Sequence, residues 1–373
     1  MNQEQKIGVL LPQSNAYPLI GKEFINGLKL GIGTADARLI IESIGFGADP
    51  SQTQNIIQKI CLQEDTQIVT GLIGHHGFSE LASFVSQNEL TLLAATLGAK
   101  ASDNLPKGVY QNTLGLRESL IDLVHWLADN DKEKIATSTC YYESGYDFFG
   151  ALDQGIKTAD KTNFAGHFIT PLHPRENEDQ LMKETFEAIQ PDAIVAFHNG
   201  VYAKEHADFL KKNKIQQKFP LYCLPFSCEE KLLKEYPDVF DQVQIVSSWF
   251  AELDNEENKT FVEAYREKHG KNPSFFALLG YENGRILKDC LDQPAHKLND
   301  VIEETTFIGP RGSIQFDTNR QTNYKNYLWR INYNDPKSPE REKVTTLKST
   351  STQHKNQQVS NQNGGWFNAY LCH

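Results

Sequence analysis

Short apolar runs alternate with longer periodic segments over the first 250 residues. The runs are Ile7–Leu11, Leu39–Ile41, Ile68–Gly71, Leu90–Ala94, Ile135–Cys140, Phe164–Ile169, Ala193–Phe197, Leu221–Leu224 and Val243–Val246. Between them lie segments of helical length: Gly21–Gly33, Ser51–Glu64, Glu80–Gln87, Leu116–Ala128, Tyr146–Thr158, Glu176–Gln190, Tyr202–Lys212 and Glu229–Tyr236. Strand–helix repetition at this spacing predicts parallel sheets covered by helices. The pattern restarts part-way. After Asn112–Thr113 and one helix, Lys134-Ile-Ala-Thr repeats the basic-then-apolar onset of Lys6-Ile-Gly-Val, so two similar α/β units are expected, the first ending near residue 120. Asn258–His269 and Phe275–Leu291 add two helices, and the acidic run Glu252–Glu257 before them reads as solvated surface where the chain returns across a domain boundary.

The end of the chain changes character. From Asn334 to Gly365 it is nearly all polar, with Pro336, Pro339 and a Gln/Asn/Ser/Thr-rich tract around Ser349–Gln362, the composition of a poorly ordered tail. Trp366, Phe367, Tyr370 and Leu371 then form an apolar cluster that is costly to leave in water. The expectation is a long surface excursion whose tip docks back onto a domain.

Length and charge narrow the function classes. A chain of 373 residues is long for one core and ample for two. Its apolar fraction of 39% excludes general disorder, and its net charge of -11 excludes a nonspecific nucleic-acid binder, which needs a concentrated basic surface. No uncharged apolar stretch approaches the roughly 18 residues of a membrane span. The opening MNQEQKIGVLLPQ lacks the basic start and apolar core of a secretory signal. It reads either as a cytoplasmic protein or as a mature exported domain whose leader has been removed. Cysteines stand at 61, 140, 223, 228, 290 and 372, too dispersed for a small disulfide framework and without a CxxC pair. Cys223 and Cys228, around Pro225, are candidates for a bridge, and Cys140 reads as a buried thiol.

Motifs for catalysis and nucleotide binding are missing. No GxGxxG follows the first strand, and Gly27-Leu-Lys-Leu-Gly31-Ile-Gly33 reads as glycines closing the first helix. There is no GxxxxGK[ST] loop and no GxSxG; Glu143-Ser144-Gly145 reads as a turn. His75-His76 has no HExxH or cysteine–histidine spacing around it, so a structural, solvent-facing or ligand-adjacent role is expected instead of a metal site. His167, His173, His198 and His206 are scattered and read as core or surface residues. No catalytic residue, metal or cofactor is expected.

Parallel sheets place their useful loops at the carboxyl ends of strands, where helix amino termini present unpaired N–H groups. Gln13–Tyr17, Gly74–Ser79 and Ala94–Gly98 are such loops in the first unit, rich in small and hydroxyl residues. Thr96 and neighbouring N–H groups suit a carboxylate without an arginine, or Thr96 is a turn hydroxyl. The second unit offers Tyr141–Tyr146 and Asn199–Tyr202. Tyr142 and Tyr146 combine apolar area with a hydroxyl, suited to covering a small molecule or to packing within the domain. Trp249 reads as hinge packing or cleft lining.

An ordered set of segments carries a resemblance: KIGVLLPQS, GKEFINGLKLGI, TGLIGHHGFSELAS, LLAAT, VYQNT, KIATSTCYYESGYDFFG, PDAIVAFHNGVYAKEHADFLKK, FVEAYREKHGKNPSFFALLGYENGRIL and the late FIGPRGSIQFD. Through about residue 333 the chain resembles the type I periplasmic binding proteins, in particular the branched-chain amino acid receptors of ABC importers. The resemblance implies an α/β fold of two doubly wound parallel-sheet lobes joined by three crossovers, with a ligand cleft between them. The implied division is residues 1–120 with 253–333, and 121–252 with 334–373. It implies ligand contacts at Gly77, Phe78, Ser79, Ala94 and Thr96 in the first lobe, where the family grips a carboxylate. In the second lobe it implies contacts at Tyr142 and Tyr146, with Tyr202 a looser match.

One departure matters. Amino acid receptors of this group commonly place an acid in the second lobe to meet the ligand ammonium; here Leu224-Pro225-Phe226-Ser227 puts Phe226 there. Burying an ammonium without an anion or acceptors is unfavourable. Glu143, Glu229 and Glu282 are the candidates to replace it. The expected function is an extracytoplasmic solute-binding protein, periplasmic or lipid-anchored. It captures an amino acid or a related carboxylate, amide or aromatic compound and delivers it to an ABC permease. The alternatives are a cytoplasmic or receptor-borne ligand-sensing domain of the same fold acting on a protein partner, and an enzyme with an unrecognised cleft site.

Overall fold

A computed structural model describes residues 5–47, 49–75, 77–98, 104–140, 148–171, 173–291 and 298–349. The chain forms two compact units, and among the described residues it passes between them after Gly115, after Glu252 and after Tyr324.

The first unit starts with β1 (Gln5–Leu11), α1 (Ile20–Ile32), β2 (Ala37–Ser43), α2 (Pro50–Glu64), β3 (Ile68–Leu72), α3 (Phe78–Gln87), β4 (Thr91–Thr96) and β5 (Val109–Thr113). These strands make one parallel sheet in the order β2-β1-β3-β4-β5. β3, β4 and β5 are buried at every position, as strands covered on both faces must be. Leu10, Val69 and Leu92 pack with Ile57 and Ile60 of α2 and Leu81 and Val85 of α3. Alternation along β1 leaves Ile7 and Val9 to the opposite face.

The second unit repeats the pattern with α4 (Leu116–Asp129), β6 (Lys134–Cys140), α5 (Phe148–Thr158), β7 (Asn163–Thr170), α6 (Glu178–Ile189), β8 (Ala193–Phe197), α7 (Gly200–Asn213), α8 (Ile215–Lys218) and β9 (Leu221–Cys223). A 3-10 turn (Pro225–Cys228), α9 (Glu230–Glu235), α10 (Pro237–Phe240) and β10 (Gln244–Ser247) follow. Its parallel strands run β7-β6-β8-β9-β10, the same order as in the first unit.

The chain then returns to the first unit as α11 (Glu256–His269), α12 (Phe275–Leu291), α13 (Leu298–Glu304) and the hairpin β11 (Phe307–Gly309) and β12 (Gly312–Ile314). α12 lies against α1 at backbone distance. A Cβ on Gly27 would stand 1.9 Å from the Ala277 carbonyl oxygen, and one on Gly280 would stand 2.1 Å from that of Phe24. The expectation that the glycines of α1 close the helix holds only for Gly33, whose N–H bonds the Lys29 carbonyl. Gly27 and Gly31, one turn apart, instead form the groove that admits Gly280 and Gly284 of α12.

The carboxyl-terminal part also differs from its expectation. β13 (Tyr327–Asp335) adds antiparallel to β10, and β14 (Ser338–Thr346) pairs with β13 at the sheet edge. Composition read residues from 334 onward as excursion, but Arg341 fastens β14 through ion pairs at 3.0 Å to both Glu230 and Glu252. A strand this polar suits an edge, where charge discourages pairing with other chains. The aromatic cluster at 366–371 lies outside the described residues.

Candidate functional site

Both sheets reverse their winding at the first strand of the unit, between β1 and β3 and between β6 and β8. In such sheets the crevice outside the carboxyl ends of those strands is where ligands bind. The loops after these strands and their neighbours are therefore the candidate site.

In the first unit the loop after β1 is held by Ser14, whose hydroxyl accepts the Tyr17 N–H at 3.0 Å. After β3 the chain turns through Gly77, at φ 63°, into α3. Only glycine fits there, since a Cβ would meet the Pro50 ring at 2.4 Å. Gly77 caps α3 without a side chain, so the first-turn amides, including those of Ser79 and Glu80, point at the loop without intrahelical partners. Thr96 ends β4, buried beside Thr113 of β5. The structure thus brings Gly77, Ser79 and Thr96 to one edge of one sheet. Phe78 and Ala94 point into the core cluster with Leu10 and Leu81, which leaves polar chemistry at this edge to hydroxyls and backbone.

In the second unit β6 ends at Cys140, which packs on Tyr202 of α7. Tyr142, Tyr146 and Glu143 lie outside the described residues, as does His76 of the first unit. Phe226 sits in the 3-10 turn after β9, 2% exposed. Next to it Ser227 receives the His198 N–H at 2.8 Å and donates to the His198 carbonyl at 3.1 Å, tying this turn to the end of β8. Trp249 is buried, its N–H and carbonyl both bonded to the Ser247 hydroxyl.

The sequence reading missed a histidine pair. His198 and His206 stack with ring centroids 3.9 Å apart, and both Nε2 atoms lie 3.1 Å from the Ser138 hydroxyl of β6. The signal was faint: Tyr202 and His206 are one turn apart on a helix that starts two residues after His198. Burial first, then the neighbouring His206, holds the His198 pKa well below the usual imidazole range, and burial pushes His206 down to about 3. Both rings are neutral at neutral pH.

This pair makes stability pH-dependent. Below about pH 6.5 an unfolded chain protonates both residues while the native protein does not, so the native state binds fewer protons. Stability is expected to fall as the pH drops from about 6.5 toward 3, by up to about 1.4 kcal/mol per pH unit per histidine. Urea unfolding across this window checks it, and His206→Gln should flatten the dependence. A wild-type stability unchanged below pH 6 contradicts a neutral buried pair.

Of the three acids proposed to replace the missing anion, the structure commits one elsewhere. Glu282 belongs to the first unit and is fully buried in an ion pair with Arg311, 2.5 Å from Glu282 Oε2 to Arg311 Nη2. It is committed to that partner. Glu229 precedes α9 and is half-buried. Among the described residues no cluster of histidine, cysteine and acidic side chains is arranged to hold a metal ion.

The profile of a family described as periplasmic binding protein matches residues 4–336. The chain belongs to the periplasmic binding protein family. Members of this family are solute-binding proteins, and the family name implies a place outside the cytoplasm; among the described residues no helix is long and apolar enough to cross a membrane. An ABC transporter substrate-binding protein from Sphaerobacter thermophilus is similar in structure, with a TM-score of 0.81, 19% identity, and coverage of 93% of this chain and 98% of that one. A solute-binding protein from R. palustris, solved in complex with benzoate, gives a TM-score of 0.74 at 18% identity over 92% of this chain and 96% of that one. A leucine-binding protein from Thermotoga maritima gives 0.69 at 14% identity over 92% and 99%. At these identities the likeness establishes the fold, a mixed α/β architecture of the type I periplasmic binding proteins. No curated protein sequence matches the chain.

Proposed function

We propose that the protein is the extracytoplasmic ligand receptor of an ABC importer, and that its ligand is a small carboxylate without an ammonium group, an aromatic acid of the benzoate class. The observation that carries this is Phe226, buried in the 3-10 turn after β9, at the position where the sequence resemblance leads to the expectation of an acid. The turn that carries Phe226 is tied through Ser227 to the backbone of His198, whose ring and its stacked partner His206 are neutral, and Glu282 is sealed against Arg311. An ammonium that meets Phe226 in place of an acid loses hydration without gaining an anion from that residue, a cost of several kcal/mol. An aromatic ring loses nothing there and gains apolar contact. Structural relatives solved with benzoate, with 3,4-dihydroxybenzoate and with 4-hydroxybenzoate point the same way.

In this reading the ligand carboxylate is received by the α3 amides at Gly77–Ser79 and by Thr96. The ring meets Phe226 and Tyr202. Binding shifts the population toward a closed form only to the extent that the ligand prefers it, and that form is presented to the permease. Calorimetric titration with benzoate, 4-hydroxybenzoate and leucine tests the reading. Saturable binding of the benzoates with leucine silent is expected. Phe226→Glu should weaken benzoate at least tenfold, about 1.4 kcal/mol, by setting a carboxylate in the ring's place. Leucine binding with both benzoates silent overturns the assignment.

A further inference from the structure

The turn Pro310-Arg311, which joins β11 to β12, is bonded to the chain beside each of the three passages between units. At the first, Arg311 Nη1 donates to the Thr113 carbonyl at 2.8 Å, two residues before Gly115. At the second, the Pro310 carbonyl accepts from Asn255 Nδ2 at 3.0 Å. Asn255 is itself bonded through its N–H to the carbonyl of Leu253, the first residue past that passage, and Asn258 Nδ2 donates to the same carbonyl at 2.8 Å. At the third, the guanidinium lies 3.4 Å from the Tyr324 ring centroid, the last residue before the passage. Its Nη2 also reaches Asn112 Oδ1 at 3.2 Å, an oxygen that accepts from the Tyr324 and Thr322 hydroxyls at 3.0 and 3.2 Å.

Arg311 is aimed by Glu282 of α12, with Nε to Oε1 at 2.9 Å, and Asn112 Nδ2 bonds the other carboxylate oxygen at 3.1 Å. α12 is in turn locked to α1 at backbone contact. A buried ion pair is a poor source of net stability, and what this one supplies is geometry. The planar fork of arginine places several donors in fixed directions at once, which a lysine ammonium cannot do.

We propose that the Pro310–Arg311 turn is a buckle that ties the three passages into one mechanical body, so that none of them loosens independently of the other two. Native-state hydrogen exchange of the ligand-free protein tests this without reference to what the protein binds. In Arg311→Lys, which keeps a charge for Glu282, exchange at residues 113–116, 253–258 and 322–326 is expected to rise together by about tenfold, while β1 to β4 stay unchanged. A rise confined to one of the three segments, or an equal rise throughout the first unit, overturns the proposal. If that variant does not fold, Asn255→Ala replaces it. That change removes a single hook, and the proposal requires faster exchange at all three segments; a change limited to 253–258 overturns it.

Discussion

Arg311→Met is expected to destabilise the protein by about 3–5 kcal/mol, the usual cost of removing one partner from a buried ion pair. The reason lies in what remains. Glu282 is fully buried and meets Arg311 through both carboxylate oxygens, so the substitution leaves a carboxylate in the interior with Asn112 and Tyr324 as its donors among the described residues. The Thr113 carbonyl loses its arginine donor as well. Adding Glu282→Gln removes the stranded charge, so the double variant should recover much of the loss despite carrying two changes. Urea unfolding of wild type, both single variants and the double variant measures this. A single variant within about 1 kcal/mol of wild type, or a double variant as unstable as Arg311→Met, contradicts the account.

Gly280→Ala is expected to cost about 3 kcal/mol or more even though alanine is the better helix former by about 1 kcal/mol. The added methyl would stand 2.1 Å from the backbone oxygen of Phe24, and neither helix has a flexible side chain there to move aside. Gly27→Ala meets the Ala277 carbonyl in the same way at 1.9 Å. Gly270 serves as the contrast: it caps α11 at φ 71° with nothing within 4 Å of an added Cβ, so alanine there is expected to cost only about 1 kcal/mol, from the backbone conformation. If Gly280→Ala proves no worse than Gly270→Ala in thermal unfolding, the close helix contact is not what holds α12 in place.

These sites show what the sequence could and could not reveal. Runs such as Ile7–Leu11, Ile68–Gly71 and Ala193–Phe197 became strands because apolar length and turn residues around them left few alternatives. β5 was harder to see as a strand from its composition. Gln111, Asn112 and Thr113 are polar, yet buried, and Asn112 is satisfied by Glu282, Asn283, Arg311 and Tyr324, residues about 170 to 212 positions away. β14 was hidden for a related reason, since an edge strand held by Arg341 has no apolar signature to display. The α1 glycines were misread because a helix end and a helix groove ask for the same residue, and only the partner helix distinguishes them.

The same limit applies to the candidate site. Ser79 and Thr96 were legible because a parallel sheet dictates where loops gather, and the first unit's sheet order puts theirs at one edge. Phe226 stood out in the sequence as a departure from a pattern, which said nothing of its burial in a 3-10 turn. The His198–Ser138–His206 contact was not, because three residues from β6, the end of β8 and α7 meet only after the sheet has formed.

Capture of a carboxylate that carries no ammonium is the proposed function from which the ligand predictions follow. Its most direct test is mass spectrometry of what the purified, ligand-stripped protein retains from a complex mixture of metabolites. The account predicts selective enrichment of an aromatic carboxylic acid, lost in Phe226→Glu. Enrichment of an α-amino acid, retained in that variant, contradicts it.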